Sequence, residues 1–186
     1  MVSLSKDRVA ILATHGFEES ELREPKKALE KAGFQVDIIS ENQGTITSWT
    51  YGHWGKAYNV DQTLGHVTQD NYSALLLPGG VMSADYLRRN KTAIAFVRSF
   101  FDNNKPLAAI CYGIWLLVDA DVLRGLNVTL YNSLIKDTEN TGAFWIDKDI
   151  VDNERLITSR NAEDLSSFNT KFIEKIYKFN YAEHVT

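Results

Sequence analysis

The chain has 186 residues, of which 44% are hydrophobic and 24% charged, as expected for one globular domain spanning residues 1–186. Its formal net charge of −4 offers no basic surface for nucleic acid or an anionic membrane, so we expect no nucleic-acid-binding module. The single cysteine excludes an internal disulfide, and we identify no secretion signal or membrane-spanning run. We therefore expect a cytoplasmic protein.

The first part of the chain predicts a βαβ unit. Residues 8–14 are rich in β-branched and aliphatic side chains, which is typical of a strand buried on both faces. Pro25 suits the first turn of a helix that Gly33 ends, and residues 35–40 predict the second strand. Such a unit implies a parallel sheet with a right-handed crossover. Residues 44–69 then predict short antiparallel strands and loops.

The rest of the chain repeats this alternation. Residues 73–80 and 106–110 predict two more central strands, and residues 91–103 and 114–119 predict helices. Residues 150–160 predict a hairpin whose turn holds Asp152 and Asn153. Apolar residues at helical spacing between 164 and 179 predict a final helix, followed by a frayed tail at 180–186. The overall prediction is a three-layer α/β sandwich.

Three segments of unusual composition follow predicted strands: "THGFEESE", "PGGVMSAD" and "CYG". Ligands of open parallel sheets bind beyond the carboxyl ends of the strands, so the shared position of these segments indicates a site. The chain has no G-x-S-x-G, P-loop or G-x-G-x-x-G motif, which are the markers of serine hydrolases, nucleotide hydrolases and dinucleotide oxidoreductases.

Cys111 allows two interpretations. A lone cysteine is often an inert core residue. Between a strand and a helix, however, the helix N-terminus favours a thiolate, and Gly113 permits the tight corner that exposes a nucleophile. The amide of Tyr112 would then face an oxyanion beside the sulfur, and Gly80 could present a second amide.

The acidic cluster formed by Glu18, Glu19 and Glu21 also allows two interpretations. It is either a solvated loop or helix start, or it directs one carboxyl group inward against the thiol, where a protonated acid donates a hydrogen bond. His15 follows a strand end and is a candidate base near Cys111. The four histidines lack the spacing of metal ligands, so we expect no metal and no cofactor.

Four stretches carry a family resemblance: "LATHGFEESEL", "ALLLPGGVMSADYLR", "AAICYGIWLLVDADVLRG" and "LITSRNAEDLSSFN". In order and with few gaps over residues 6–177, they resemble the ThiJ/PfpI family. This is the intracellular protease-like branch of the class I glutamine amidotransferase-like superfamily, which also includes the parkinsonism-associated deglycase.

The resemblance implies a flavodoxin-like sandwich with Cys111 at the nucleophile elbow. It also implies that Glu18 contacts the sulfur as a protonated hydrogen-bond partner, and that Gly80 and Tyr112 supply the oxyanion amides. Family relatives are usually dimers or higher oligomers, so a homo-oligomer is expected.

Tyr112 departs from the family pattern, which usually has a histidine after the cysteine as the proposed base. A phenol, with a reference pKa near ~10 against ~6.5 for imidazole, is a poor base at neutral pH. In the protease-like branch an acidic residue reaches that histidine, and the matching residue here is Asp85. Asp85 would accept a hydrogen bond from the Tyr112 hydroxyl or serve only an interface, and His15 is a candidate substitute base.

Three functions follow as hypotheses. The first is a cofactor-free cysteine enzyme acting on a small reactive carbonyl or a glycated substrate, as a glyoxalase or deglycase. The second is a cysteine peptidase or amidase, which the absence of the histidine disfavours. The third is a redox sensor or chaperone-like stress protein in which Cys111 is oxidised to a sulfinate.

Overall fold

The computed structural model describes residues 7–185. Its strands are β1 (Arg8–Leu12), β2 (Gln35–Ser40), β3 (Thr45–Thr50), β4 (His53–Asn59), β5 (Gln62–Thr63), β6 (Ala74–Leu77), β7 (Leu107–Ile110), β8 (Asn127–Val128), β9 (Phe144–Trp145), β10 (Ile150–Asp152) and β11 (Leu156–Ser159). Its α-helices are α1 (Glu19–Lys31), α2 (Val81–Arg88), α3 (Lys91–Asp102), α4 (Ile114–Asp119), α5 (Ile135–Glu139) and α6 (Leu165–Val185).

A seven-stranded sheet in the order β10-β11-β7-β6-β1-β2-β5 forms the middle layer. Every neighbouring pair is parallel except β10 and β11, which form the predicted hairpin. Because the central strands β6, β1 and β7 run in the same direction, their carboxyl ends meet at one edge of the sheet. That edge carries the three segments identified in the sequence.

Helices cover both faces of the sheet, so the predicted three-layer α/β sandwich is confirmed. Successive residues of a strand point to opposite faces: Val9 and Ile11 of β1 pack with helices α1 and α6. Ala10 and Leu12 pack with α2, α3 and α4 on the other face. The near-continuous apolar strands therefore belong to a sheet that is buried on both sides.

Helix α1 begins earlier than its proline predicts. It starts at Glu19, so Pro25 lies inside the helix rather than in its first turn. Proline has no amide proton, and the helix loses only the bond to the carbonyl of Glu21. Burial of Leu22 and Leu29 against the sheet stabilises the longer helix despite that loss.

The aromatic-rich segment forms an antiparallel ribbon of β3 and β4 outside the main sheet, with Trp49 opposite Trp54. Their rings pack edge to face at 5.2 Å. A bridge between Glu18 and Trp49 joins this ribbon to the start of α1. The ribbon therefore lies beside the acidic cluster.

Two predicted boundaries near the end of the chain change. Asp152 is the last residue of β10, and the amide of Asn153 closes the turn by donating to the carbonyl of Leu156 at 2.8 Å. The tail predicted at 180–186 overlaps helix α6 as far as Val185, and Thr186 lies outside the described residues. Among residues 7–185, no helix combines the length and apolar character needed to cross a bilayer.

Candidate active site

Cys111 lies where β7 ends and a single 3₁₀ turn, Cys111–Gly113, leads into α4. Its φ of 57° is in the left-handed region, which costs free energy for a residue with a Cβ. The side chain is only 9% exposed. The corner predicted from the sequence thus holds the thiol in a strained conformation at the carboxyl edge of the sheet.

Gly113 serves this corner by close packing rather than by unusual dihedral angles. Its φ is −56°, which any residue can adopt. A Cβ at this position, however, would collide with the carbonyl oxygen of Leu77 in β6. Glycine is required because the turn presses directly against the neighbouring strand.

The carboxyl group beside the sulfur belongs to Glu21, not to Glu18. Glu21 is 2% exposed, its Oε2 accepts the amide of Gly79 at 2.9 Å, and its side chain hydrogen-bonds with Cys111. Glu18 is the N-cap of α1; its amide donates to the carbonyl of Gly79 at 3.1 Å and its carboxylate accepts from Ser20 at 3.1 Å. The predicted contact of Glu18 with the sulfur is therefore wrong.

Glu19, the third acid of the cluster, holds the β3–β4 ribbon against α1. Its carboxylate accepts hydrogen bonds from Ser48 at 3.1 Å, Tyr58 at 3.2 Å and Arg23 at 2.9 Å. Burial alone would raise the pKa of Glu19, but these hydrogen bonds lower it below its usual value. Glu19 is therefore an ionised structural anchor. The cluster lies at a helix start, as one interpretation predicted, but Glu19 and Glu21 are buried there rather than solvated.

Burial governs the titration of the thiol and its partner. It raises the pKa of Glu21 to about 8, so this carboxyl group keeps its proton at neutral pH. Burial also raises the pKa of the Cys111 thiol, negative charge on Glu21 raises it further, and the amide of Tyr112 lowers it by donating to the sulfur. Because the two groups are in contact, the charge of each affects the titration of the other. The direction is opposite to that expected for a thiolate at a helix N-terminus, because burial outweighs the hydrogen bond from the turn's amide.

Gly80 is a second glycine required by close approach. It caps α2 with a φ of 98°, and a Cβ there would lie 2.6 Å from the amide nitrogen of Glu18. Within residues 7–185, the amide of Gly80 has no hydrogen-bond acceptor. Its role as an oxyanion donor beside Tyr112 stays a prediction.

The Tyr112 side chain contacts a serine hydroxyl and two aromatic rings. Its hydroxyl forms a 2.7 Å hydrogen bond with Ser133, and its ring packs against Trp115 and Tyr131 at 5.1 and 5.4 Å. Asp85 is exposed on α2. The hydroxyl therefore bonds to Ser133 and not to Asp85, whose predicted interface role stays a prediction.

His15 is exposed, and its Nδ1 accepts the amide of Thr47 at 3.1 Å. This hydrogen bond joins the imidazole ring to the β3–β4 ribbon. The hydrogen-bond partners of the thiol are instead Glu21 and the Tyr112 amide. Among residues 7–185, His15 makes no contact that would make it a base. The part of the chain that the structure describes contains no group of three or more His, Cys, Asp or Glu side chains suited to a metal ion.

The elbow cysteine, the buried glutamate and the double glycine all lie in a part of the chain that is similar to known proteins. A family model described as the DJ-1/PfpI family matches residues 7–175. The chain belongs to the DJ-1/PfpI family. This confirms the resemblance identified from the four sequence stretches.

Individual DJ-1/PfpI proteins match over most of the chain. Protein/nucleic acid deglycase 2 of Escherichia coli strain K12 is 39% identical over 163 residues, covering 87% of this chain and 93% of that protein. YraA of Bacillus subtilis strain 168, whose name assigns it provisionally to the cysteine proteases, is 37% identical over 162 residues, covering 87% and 94%. A two-domain protein from Anabaena variabilis with DJ-1/ThiJ/PfpI-like and ferritin-like domains superposes with a TM-score of 0.86 at 31% identity. That match covers 91% of this chain and 48% of the other.

Two residues of this DJ-1/PfpI site were not assigned from the sequence. Glu21 shares a helix face with Pro25 and Leu29, which indicates burial once the helix is known to begin at Glu19. Ser133, the partner of Tyr112, carries no comparable signal. It follows Tyr112 by 21 residues in a segment that only the tertiary fold brings back to the elbow.

Proposed function

We propose that this chain is a cofactor-free cysteine enzyme that converts reactive carbonyl compounds, in the manner of a glyoxalase or deglycase. The observation that carries the proposal is a strained elbow cysteine in hydrogen-bonding contact with a buried glutamate that holds its proton at neutral pH. The name of the Escherichia coli relative, a protein and nucleic acid deglycase, supports the same chemistry.

The reactive form is the pair of Cys111 and Glu21 after it has lost one proton. Because the pKa of Glu21 lies below that of the thiol, Glu21 is then a carboxylate that can accept the thiol proton. As that proton moves to Glu21, the sulfur attacks the aldehyde carbon of an α-oxoaldehyde such as methylglyoxal. The S–C bond forms as the carbonyl π electrons move to oxygen, and Glu21 gives its proton to that oxygen, producing a hemithioacetal. The amides of Tyr112 and Gly80 would stabilise the transient oxyanion.

Glu21, now a carboxylate, removes the proton from the hemithioacetal carbon and returns it to the neighbouring carbon through an enediol. The adduct becomes a thioester of the 2-hydroxy acid, so one carbon is oxidised and its neighbour reduced without an external electron acceptor. Water then cleaves the thioester, releasing the hydroxy acid and regenerating the thiol. Overall, methylglyoxal and water give lactate.

A cysteine peptidase is the second candidate, favoured by the name of the YraA relative. Peptide cleavage requires an acid that protonates the departing amine, which is ordinarily the role of a histidine. Here Tyr112 occupies the usual histidine position, and its hydroxyl is bonded to Ser133. The carbonyl reaction needs only the groups beside the sulfur and is therefore the better supported proposal.

The test is methylglyoxal consumption by the wild type, Cys111→Ser, Glu21→Gln and Glu18→Gln, with lactate measured as product. We expect no turnover for Cys111→Ser and a loss of about 100-fold or more for Glu21→Gln, the range of a general acid-base group. Glu18→Gln should have a much smaller effect. Equal losses for the two glutamate variants would contradict the assignment of Glu21.

Two further outcomes separate the alternatives. A wild type that leaves methylglyoxal intact but forms a Cys111 sulfinate in dilute peroxide would identify a redox sensor and refute the enzyme proposal. Peptide hydrolysis by the wild type, abolished in Cys111→Ser, would establish the peptidase instead. If peptidase activity arises only in Tyr112→His, the missing histidine explains its absence.

A further inference from the structure

The double glycine after β6 contains a peptide group whose two polar atoms have different surroundings. In the peptide that joins Gly79 to Gly80, the carbonyl of Gly79 accepts the amide of Glu18 at 3.1 Å. The amide of the same peptide belongs to Gly80, which is half-buried and has no hydrogen-bond acceptor within residues 7–185. Backbone amides that are shielded from water are ordinarily paired. This amide is therefore available to an oxygen atom of a ligand.

The hydrogen bond from Glu18 fixes the direction of the unused amide. A peptide group is planar, and in its trans form the C=O and N–H bonds point in opposite directions. Every peptide bond between residues 7 and 185 is trans. Because the carbonyl of Gly79 points toward Glu18, the N–H of Gly80 points away from Glu18.

Gly79 lies directly against the groups of the proposed reaction. A Cβ on Gly79 would come within 2.8 Å of the Cβ of Cys111 and within 3.1 Å of the amide nitrogen of Tyr112. The amide of Gly79 itself donates to Glu21 at 2.9 Å. The double glycine therefore has Glu18 on one side and the elbow on the other.

The segment that contains Glu18 is held on its outer side by strand β3. The amide of Gly16 donates to the carbonyl of Thr47 at 2.8 Å. The amide of Trp49 donates to the carbonyl of Phe17, also at 2.8 Å. Neither bond uses the amide of Glu18, which is left to donate to the double glycine. The β3–β4 ribbon thus fixes the donor that orients the peptide.

We infer that Glu18 is a positioning residue that acts through its backbone amide. By holding the carbonyl of Gly79, it directs the N–H of Gly80 toward the carbonyl oxygen of the substrate. When the Cys111 sulfur bonds to the carbonyl carbon, the π electrons move to that oxygen, and the N–H stabilises the negative charge. The inference rests on the proposed carbonyl chemistry and adds to it the residue that orients one oxyanion donor.

Trifluoroacetone tests this geometry without turnover. The sulfur adds reversibly to its carbonyl carbon, the thiol proton passes to Glu21, and the fluorine atoms favour the ionised form of the adduct oxygen. The adduct carbon carries no hydrogen, so the rearrangement proposed for methylglyoxal cannot follow. In fluorine NMR titrations we expect an adduct signal for the wild type and none for Cys111→Ser.

Glu18→Pro removes the amide that orients the peptide. Glu18 has a φ of −74°, which proline can adopt, but proline lacks the N–H and places a ring carbon there. We expect trifluoroacetone to bind at least about tenfold more weakly, the loss of one hydrogen bond to a charged oxygen. Alkylation of Cys111 by iodoacetamide forms no oxyanion and should keep its wild-type rate. The two measurements together separate a lost oxyanion contact from a less reactive thiol.

Two variants control for the side chain and for proline itself. Glu18→Ala keeps the backbone amide and should lose much less affinity than Glu18→Pro. Lys91→Pro places proline at the exposed first residue of α3, after an extended N-cap residue, and should bind trifluoroacetone as the wild type does. Equal losses in Glu18→Ala and Glu18→Pro would overturn the inference. Wild-type affinity in Glu18→Pro would overturn it as well.

If Glu18→Pro does not fold, amide hydrogen exchange in the wild type decides the question. The amide of Glu18 should exchange slowly in the free protein, and the amide of Gly80 should exchange rapidly. Binding of trifluoroacetone should then protect the Gly80 amide, because the adduct oxygen accepts its hydrogen bond. A Gly80 amide that exchanges equally fast with and without the adduct would overturn the inference.

Methylglyoxal turnover separates this inference from the proposed function. Glu18→Pro should lower kcat by about 100-fold with little change in KM, as expected when an oxyanion donor is lost. Turnover at the wild-type rate in Glu18→Pro would refute the positioning role alone. A wild type that binds trifluoroacetone and protects its Gly80 amide, but leaves methylglyoxal intact, would refute the carbonyl enzyme alone.

Discussion

Glu18, Glu19 and Glu21 lie within four consecutive residues and have three different environments. Glu18 is the half-buried N-cap residue of α1. Glu19 is buried among three hydrogen-bond donors, and Glu21 is buried against the thiol. Residue type alone does not distinguish the three glutamates. The pKa values of Glu19 and Glu21 move in opposite directions because the two side chains face different neighbours.

At the residue scale, we predict that Glu21→Gln has a larger free energy of unfolding than the wild type, and that this difference grows as pH rises. The folded pKa of Glu21 is about 8, against an ordinary value of 4.5. Below pH 4.5 both the folded and the unfolded state hold the proton. Between 4.5 and 8 only the unfolded state ionises, so the wild type loses stability through this window. Glutamine does not titrate, and the variant should gain up to about 4 kcal/mol relative to the wild type by pH 8.

Urea unfolding at pH 5 and pH 8 measures this difference. The control is Glu30→Gln at the exposed end of the same helix. A stability gap between Glu21→Gln and the wild type that is the same at both pH values would show that Glu21 is not protonated in the folded protein.

At the scale of elements, the β3–β4 ribbon depends on Glu19 for its attachment to α1. The pKa of Glu19 is lowered in the folded state, so its contribution to stability is present above the ordinary value of 4.5 and is lost as pH falls through the folded value. We therefore expect Glu19→Gln to destabilise the protein at pH 7, by about 1–3 kcal/mol for a buried hydrogen-bonded charge. The loss should be smaller at pH 3.

Denaturant titrations of Glu19→Gln and Glu30→Gln at both pH values provide the measurement. The prediction fails if the Glu19 variant is as stable as the wild type at neutral pH. The contributions of Glu19 and Glu21 to stability therefore depend on pH with opposite signs, although both residues lie in the first turn of α1.

A further prediction concerns the packing of the elbow turn, Cys111–Gly113. Gly113→Ala places a methyl group against the backbone of Leu77, which cannot move without disturbing β6. We expect a loss of about 1–3 kcal/mol in unfolding free energy, as for overpacked cores, together with reduced alkylation of Cys111. Gly65→Ala is the matched control, because nothing lies within 4 Å of a Cβ there. A fully stable Gly113→Ala protein would refute the close-packing explanation.

At the scale of the whole molecule, the family resemblance predicts self-association. Sedimentation equilibrium should then give a mass of at least twice the 21.0 kDa of the chain. Exposed aromatic residues such as Tyr51 and Trp54 on the ribbon offer a surface to mutate if a dimer is found. A mass of 21.0 kDa at micromolar concentration would contradict the prediction.

Most of the sheet was predictable because its signal is local. Strands such as β2 and β7 are short apolar runs bounded by turn residues, and that pattern alone indicates burial on both faces. Helix α2 and the segment holding β8, α5 and β9 were not predicted. Their elements are short, and their apolar residues pack on parts of the chain that are distant in sequence.

By itself the sequence determined the sandwich, the family and the position of Cys111 at a strand-to-helix corner. These features could be predicted because the patterns that indicate buried strands and turns lie in residues that are adjacent in sequence. Only the tertiary structure decided that Glu21 rather than Glu18 meets the sulfur, that Tyr112 bonds to Ser133, and that burial raises the pKa of the thiol. These features depend on which side chains meet across the fold and how little water reaches them. Neither quantity can be derived from local pattern.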